Sequence, residues 1–201
     1  MALRLLHHLL PRPILFLTLI LAACAARTYG WHGTAYETPP TAAPLLGTLP
    51  SSSPNSSIPE TGVPHLVYFG YTQCPDFCPA TLGIAADLFE QLGDEAERVR
   101  FYFVTVDPER DTREVLTEYL NGFDSRFIGV RPEAKSLPAL LAAYGATAFV
   151  DPAHPDSDSG VIAHTTRLFL VDKDGLLRAH YPFDTSAEDL MADVRHLLQD
   201  G

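Results

Sequence analysis

The chain has 201 residues, 46% of them hydrophobic, and a formal net charge of -11. That is enough apolar material for the core of one ordinary domain, with about fifty residues to spare. A balance this acidic argues against nucleic acid as a partner.

Residues 1–23 read as a targeting segment, because Arg4 and Arg12 precede an apolar stretch, Ile14 to Leu21, that runs into Leu21-Ala-Ala-Cys24. Pro11, Pro13, His7 and His8 interrupt the region before Ile14 and leave the stretch short of the ~20 apolar residues a membrane span needs. Leu-Ala-Ala-Cys resembles the bacterial lipobox. The resemblance implies that the signal is removed before Cys24 and that this cysteine carries a lipid; an ordinary signal peptide or an uncleaved anchor is the alternative. The protein would then sit on the cell membrane, with its domain on the periplasmic or other extracytoplasmic side. Loss of Arg4 and Arg12 takes the charge to -13.

Residues 24–63 read as a linker. Seven of the 17 prolines lie between Arg27 and Pro64, together with the run Ser51-Ser-Ser-Pro-Asn-Ser-Ser57, so much of it is expected to be extended. Trp31-His-Gly-Thr34 and Leu45-Leu-Gly-Thr-Leu49 are more apolar than a tether needs and suggest packing at a domain edge. The folded domain is expected over 64–201.

That domain opens with a buried strand at 65–71, apolar on both faces as in the interior of a mostly parallel sheet. Thr72-Gln-Cys74-Pro-Asp-Phe-Cys78-Pro79 follows. Pro79 suits a first helical turn, and Leu82, Ile84, Ala85, Leu88 and Leu92 give an apolar stripe that Gly93 ends. A strand at 99–106 completes a right-handed βαβ unit. Asp111, with Glu114 three residues on, reads as the N-cap of a second helix whose inner face is Val115, Leu116, Tyr119 and Leu120. A short strand at 127–130 and a helix at 136–144 come next, then a polar loop at 151–160. Strands 165–171 and 176–181 flank Asp172-Lys-Asp-Gly175 as a β-hairpin. A last helix, starting after Thr185 or Ser186 and running to Gln199, turns Leu190, Val194, Leu197 and Leu198 inward. A βαβ half followed by a ββα half is the α/β thioredoxin-like plan, a central mixed sheet flanked by helices.

Cys74 and Cys78 can share one face of an early helical turn, where backbone amides favour thiolates. Thiolate is both nucleophile and metal ligand, so the placement admits redox chemistry or a soft metal. A disulfide closing so small a loop would stabilise the fold by only about 2 kcal/mol, a weak reason for a mid-sized core to keep it. Three residues between the cysteines, against two in thioredoxin-type redox motifs, make room for an ion. Among the eight histidines, His164 stands just before the strand 165–171. That strand should run antiparallel to 65–71 and deliver His164 to the cysteine loop. Two soft sulfurs and an imidazole suit Cu(I) and can hold Cu(II), whereas zinc usually wants a fourth ligand. Asp107 and Asp111 follow the end of the strand 99–106. Either a turn and helix-cap role or a contribution to the site or a partner contact would explain them.

The ordered series Tyr71-Thr-Gln-Cys74-Pro-Asp-Phe-Cys78-Pro79, Val106-Asp-Pro-Glu-Arg-Asp-Thr112, Phe123-Asp-Ser-Arg-Phe-Ile-Gly129 and His164 before a hairpin at Asp172-Lys-Asp-Gly175 resembles the Sco/SenC family over about residues 64 to 200. Trp31-His-Gly-Thr34 is similar to the segment preceding the domain in bacterial members. The resemblance implies a membrane-tethered copper chaperone of thioredoxin-like fold that assembles the dinuclear copper (CuA) centre of cytochrome c oxidase, with subunit II of the oxidase as the receiving partner. It places the copper ligands on Cys74, Cys78 and His164. A thiol-disulfide oxidoreductase acting on copper-site cysteines or in oxidant defence, with Cys74 and Cys78 as the redox pair, is the alternative. Two departures stand out. Ala163 occupies the place of an acidic residue that commonly precedes the family's histidine. The hairpin that the family places before the cysteine strand is replaced by Leu45-Leu-Gly-Thr-Leu49 and the Ser/Pro run.

Overall fold

The run His65-Leu-Val-Tyr-Phe-Gly70 is buried at every position, and it becomes a central strand because neither of its faces could be left in water. The structure, a computed structural model, describes residues 29–36, 60, 62–150 and 161–199. Cys24, His7, His8, His154, the segment around Leu45–Leu49, the Ser/Pro run and the loop 151–160 lie outside the described residues. In chain order the elements are β1 (Thr34–Ala35), β2 (His65–Gly70), α1 (Phe77–Leu92), a 3-10 helix (Gly93–Arg98), β3 (Arg100–Thr105), α2 (Arg113–Asn121), β4 (Ile128–Val130), α3 (Leu137–Ala143), β5 (Ala148–Val150), β6 (Ile162–His164), β7 (Leu168–Val171), β8 (Leu177–Tyr181) and α4 (Ala187–Gln199). Among the described residues no helix is long and apolar enough to cross a membrane.

The main sheet has the order β1-β8-β7-β2-β3-β4. β2 and β3 are parallel, as are β3 and β4, while β7 is antiparallel to β2 and β8 to β7. This is the mixed sheet of a thioredoxin-like fold. Alternation along β2 sends Tyr68 toward Phe103 on one face, where α1 packs and its Cys78 meets the Tyr68 hydroxyl. Phe69 points the other way, onto Tyr144 at the end of α3. α4 joins α1 on the first face. The hairpin between β7 and β8 closes as expected: Asp172 Oδ1 accepts from the amides of Asp174 and Leu176 at 2.9 and 2.8 Å, and Gly175 takes the left-handed conformation such a turn needs (φ 77°).

Two local expectations are corrected. The N-cap of α2 is Thr112, whose Oγ1 accepts from the Val115 amide at 3.3 Å, because the Asp111 carboxylate is engaged elsewhere, by Thr72 and Thr105. Val115 is correspondingly exposed rather than part of the inner face of the helix. The edge strand β1 comes from the Trp31-His-Gly-Thr34 segment and pairs with β8. Its anchor is Asp193 on α4, fully buried, which accepts from Tyr181 Oη at 2.8 Å and from the amides of His32 and Gly33 at 3.0 and 3.2 Å.

His65, at the end of β2 remote from the cysteines, gives the fold a pH signature. Burial pushes its pKa down from 6.5 to about 4, against a hydrogen bond from its Nδ1 to the Val63 carbonyl. With the folded value below the unfolded one, the stability this neutral ring contributes is present above pH 6.5 and is lost as pH falls toward 4. The unfolding free energy from urea denaturation, followed over that range, should drop by up to about 1.4 kcal/mol per pH unit, and His65→Asn should flatten the slope. An unaltered slope in that variant would assign the acid sensitivity to other groups.

Candidate metal centre

The centre is assembled at the ends of β2 and β3, where the chain leaves the sheet for α1. Cys74 closes a turn through its amide, which donates to the Tyr71 carbonyl at 3.2 Å. Cys78 follows on the first turn of α1. The helix begins at Phe77, early enough to bring the two sulfurs together. Cys78 is completely buried and Cys74 is 8% exposed. Neither is in a disulfide.

His164 arrives on the neighbouring antiparallel arm, as the expected pairing of strands 165–171 and 65–71 requires. Its immediate carrier, however, is β6, one half of a separate two-stranded sheet with β5, in which His164 pairs with Ala148. The Tyr71 hydroxyl ties β6 to the cysteine loop by accepting from the Ile162 amide at 3.3 Å. The imidazole stands edge-on to Tyr68 and Tyr71, with ring centroids 6.2 and 5.7 Å away. Its Nδ1 donates to the Thr165 carbonyl at 3.0 Å. A carbonyl can only accept, so this bond fixes the proton on Nδ1 and turns the Nε2 lone pair toward the sulfurs. The backbone thus gives the imidazole the outer support that Ala163 cannot.

One ligand atom each from Cys74, Cys78 and His164 can be chosen so that all lie within 4.8 Å of one another, and Cys78 Sγ is 3.6 Å from His164 Nε2. Metal–sulfur and metal–nitrogen bonds of about 2.3 and 2.0 Å in a trigonal arrangement separate their ligands by about 3.7 to 4.0 Å, so the three donors fit one ion with little rearrangement. Among the described residues this is the one cluster of three or more such ligands. His32, His65, His180 and His196 all lie elsewhere: His32 on Asp193, His65 against Tyr102, His180 against Tyr36 and His196 against Trp31.

The thiols differ in acidity. A hydrogen bond from the Cys78 thiol, with help from the amides of Cys78 and Asp76, holds Cys74 well below the ordinary thiol range in spite of its burial. Sharing that proton with Cys74, together with complete burial, holds Cys78 above it. Cys74 and His164 line one wall of an open cleft of about 300 Å³, which Tyr71, Pro75, Phe77 and Ile162 complete.

Several residues of the centre give no signal in the sequence. Gly70 is one: a Cβ there would lie 2.7 Å from Cys78 Sγ and 2.9 Å from the Phe103 ring, so the sulfur occupies the space of a missing side chain. Tyr68 is another, its hydroxyl donating to Cys78 Sγ at 3.8 Å. Asp107 and Asp111 sit beside the cysteine loop without being part of the ligand cluster. Arg110 bridges Asp107 and Gln73, and Asp111 accepts from the Thr72 amide at 3.1 Å and from the Thr72 hydroxyl at 2.6 Å.

Known proteins show the same arrangement of chain. The SCO1/SenC family model matches residues 55–199. A SCO2-like protein of Rickettsia prowazekii is 35% identical over 129 residues, covering 63% of this chain and 62% of its own. A structure of Bradyrhizobium japonicum ScoI with copper bound superposes with a TM-score of 0.62 at 31% identity, over 68% of this chain and 86% of that one. Apo Sco1 from Thermus thermophilus does so with a TM-score of 0.71 at 27% identity, over 85% and 99%. This chain therefore spans less than two thirds of the Rickettsia relative, against 86% and 99% of the two solved chains. With the family model covering five of the six strands of the main sheet, the cysteine loop and the histidine strand together, the chain belongs to the SCO1/SenC family.

Proposed function

We propose that the protein is a copper-binding chaperone. In this reading the Cys74 and Cys78 thiolates and the His164 imidazole hold the ion, and the cleft beside Cys74 admits the ligands of a receiving protein. The observation that carries it is the approach of two sulfurs and one lone-pair nitrogen to within 4.8 Å at an open wall. The donor set favours Cu(I) among the available ions because thiolates are soft, and three ligands fall short of the four that structural zinc takes. The copper-bound relative supports the choice of metal. Family membership supports the finer reading, delivery to the CuA centre of cytochrome c oxidase through its subunit II, with the domain tethered outside the cytoplasm by a lipid on Cys24.

Competition for Cu(I) with a chromophoric chelator tests the proposal on the reduced full chain. The wild type should take one ion per chain. Cys74→Ser and His164→Ala should each weaken binding by more than the ~10- to 100-fold that loss of an outer-shell partner costs. Unchanged stoichiometry and affinity in both variants would sink the proposal.

The unequal thiols favour a second reading, a thiol-disulfide oxidoreductase in which Cys74, acidic and at the cleft, attacks a disulfide and buried Cys78 resolves the mixed disulfide. That activity needs no histidine ligand. Reduction of a model disulfide by metal-free His164→Ala at the wild-type rate would favour it.

A further inference from the structure

Asp111 is a buried acid to which neither capping nor metal binding gives work. It has no exposed surface, Thr112 caps the helix that follows, and its carboxylate is outside the ligand cluster. Its donors come from two places that meet above the sheet. Thr72 supplies an amide at 3.1 Å and a hydroxyl at 2.6 Å, and Thr105 supplies a hydroxyl at 2.5 Å. Thr105 is the last residue of β3 and stands in register beside Gly70, the last of β2. The Asp111 amide is in turn tied to the Asp107 carbonyl at 2.9 Å, and the Asp107 amide donates to the Thr105 hydroxyl at 2.9 Å. Of the titratable groups beside Asp111, Asp107 repels its charge. Keeping a carboxylate in such a place costs stability that an apolar residue would not, so its bonds must secure something.

We infer that Asp111 is the positioning residue of the metal centre: its carboxylate sews the turn 71–74 to the end of β3, so that Cys74 Sγ already faces Cys78, His164 and the helix amides before an ion arrives. This rests on the proposal that Cys74 is a working ligand. Thr72, held by two bonds to one carboxylate, lies two residues before Cys74, and the Tyr71–Cys74 turn bond transmits its position to the sulfur. Cutting the stitch lets the loop swing out and take Cys74 away from the amides that favour its thiolate. The loss is one of geometry, not of charge, which allows the two to be separated.

The test follows amide hydrogen exchange at Thr72 and Cys74 in the metal-free, reduced full chain, beside Cu(I) affinity by chelator competition. Asp111→Ala should speed exchange at both amides at least about tenfold, the scale of a lost hydrogen bond, and weaken Cu(I) binding about 10- to 100-fold, as loss of an outer-shell partner does. Asp111→Asn retains an acceptor oxygen for Thr72 and should stay close to wild type in both, a rescue that separates positioning from charge. Thr72→Val should give smaller changes in the same direction. Wild-type exchange at Cys74 in Asp111→Ala overturns the inference, whatever the loss in melting temperature, and so does an Asp111→Asn chain as impaired as Asp111→Ala. If Asp111→Ala does not fold, Thr72→Val decides, and unchanged exchange there overturns the inference. A wild-type chain that takes no copper would sink the chaperone reading and leave the exchange measurement intact.

Discussion

Gly70→Ala should both destabilise the domain, by about 1–3 kcal/mol, and weaken Cu(I) binding at least about tenfold. The added methyl group has nowhere to go. It would meet Cys78 Sγ at 2.7 Å and the Phe103 ring at 2.9 and 3.0 Å, and both of those residues are fully buried. Relief comes most cheaply by rotating Cys78 off its rotamer, which carries the sulfur away from His164 and forfeits the preset ligand spacing. Gly83, in the middle of α1 with nothing within 4 Å of its would-be Cβ, is the control. Alanine there should stabilise by about 0.5–1 kcal/mol and leave metal affinity unchanged. Urea denaturation and chelator competition on both variants check the pair. A Gly70→Ala chain with wild-type affinity would show that Cys78 has room the packing denies it.

Asp193→Ala should cost about 1–3 kcal/mol, the scale of removing the acceptor from a buried donor such as the Tyr181 hydroxyl. The amides of His32 and Gly33, at the half-open edge, lose the same acceptor, and β1 should leave the sheet edge. Amide hydrogen exchange at Thr34 and Ala35 would report that release, and protection equal to wild type would refute it. The same carboxylate raises the pKa of His32 from 6.5, chiefly by accepting a hydrogen bond from its ring. With the folded value above the unfolded one, this contribution is complete below pH 6.5 and fades as pH rises through the folded value. Asp193→Ala should abolish that alkaline loosening. His32 is largely open to solvent, so the effect is a modest one.

What could be read from the sequence was whatever depends on local pattern. The apolar run 65–70, the stripe of Leu82, Ala85, Leu88 and Leu92, and the Asp-Lys-Asp-Gly175 turn each announce their structure within a few residues. His164 was reachable because strand direction alone sends it toward the cysteines. Its carrier β6 was not, since β5 exposes Phe149 and Val150 and shows no alternation of apolar and polar residues. Local pattern points Asp111 to the wrong role because its partners lie 39 and 6 residues back in the chain, while its position just before a helix mimics a cap. Gly70 is silent for a related reason. A glycine that makes room for a sulfur eight residues on looks like any glycine at a strand end. Asp193 disappears into the polar half of an amphipathic helix until Tyr181 and the chain at His32 close over it.

The docking of Trp31–Tyr36 on β8 also closes an edge. β1 pairs Thr34 with His180 and Ala35 with Ala179, and the Tyr36 amide donates to the Arg178 carbonyl at 3.0 Å, so backbone groups of β8 that would otherwise face outward are satisfied within the chain. An uncovered β8 would be a template for pairing with a second copy. Asp193, by holding this short segment in place, guards the domain against sticking to itself.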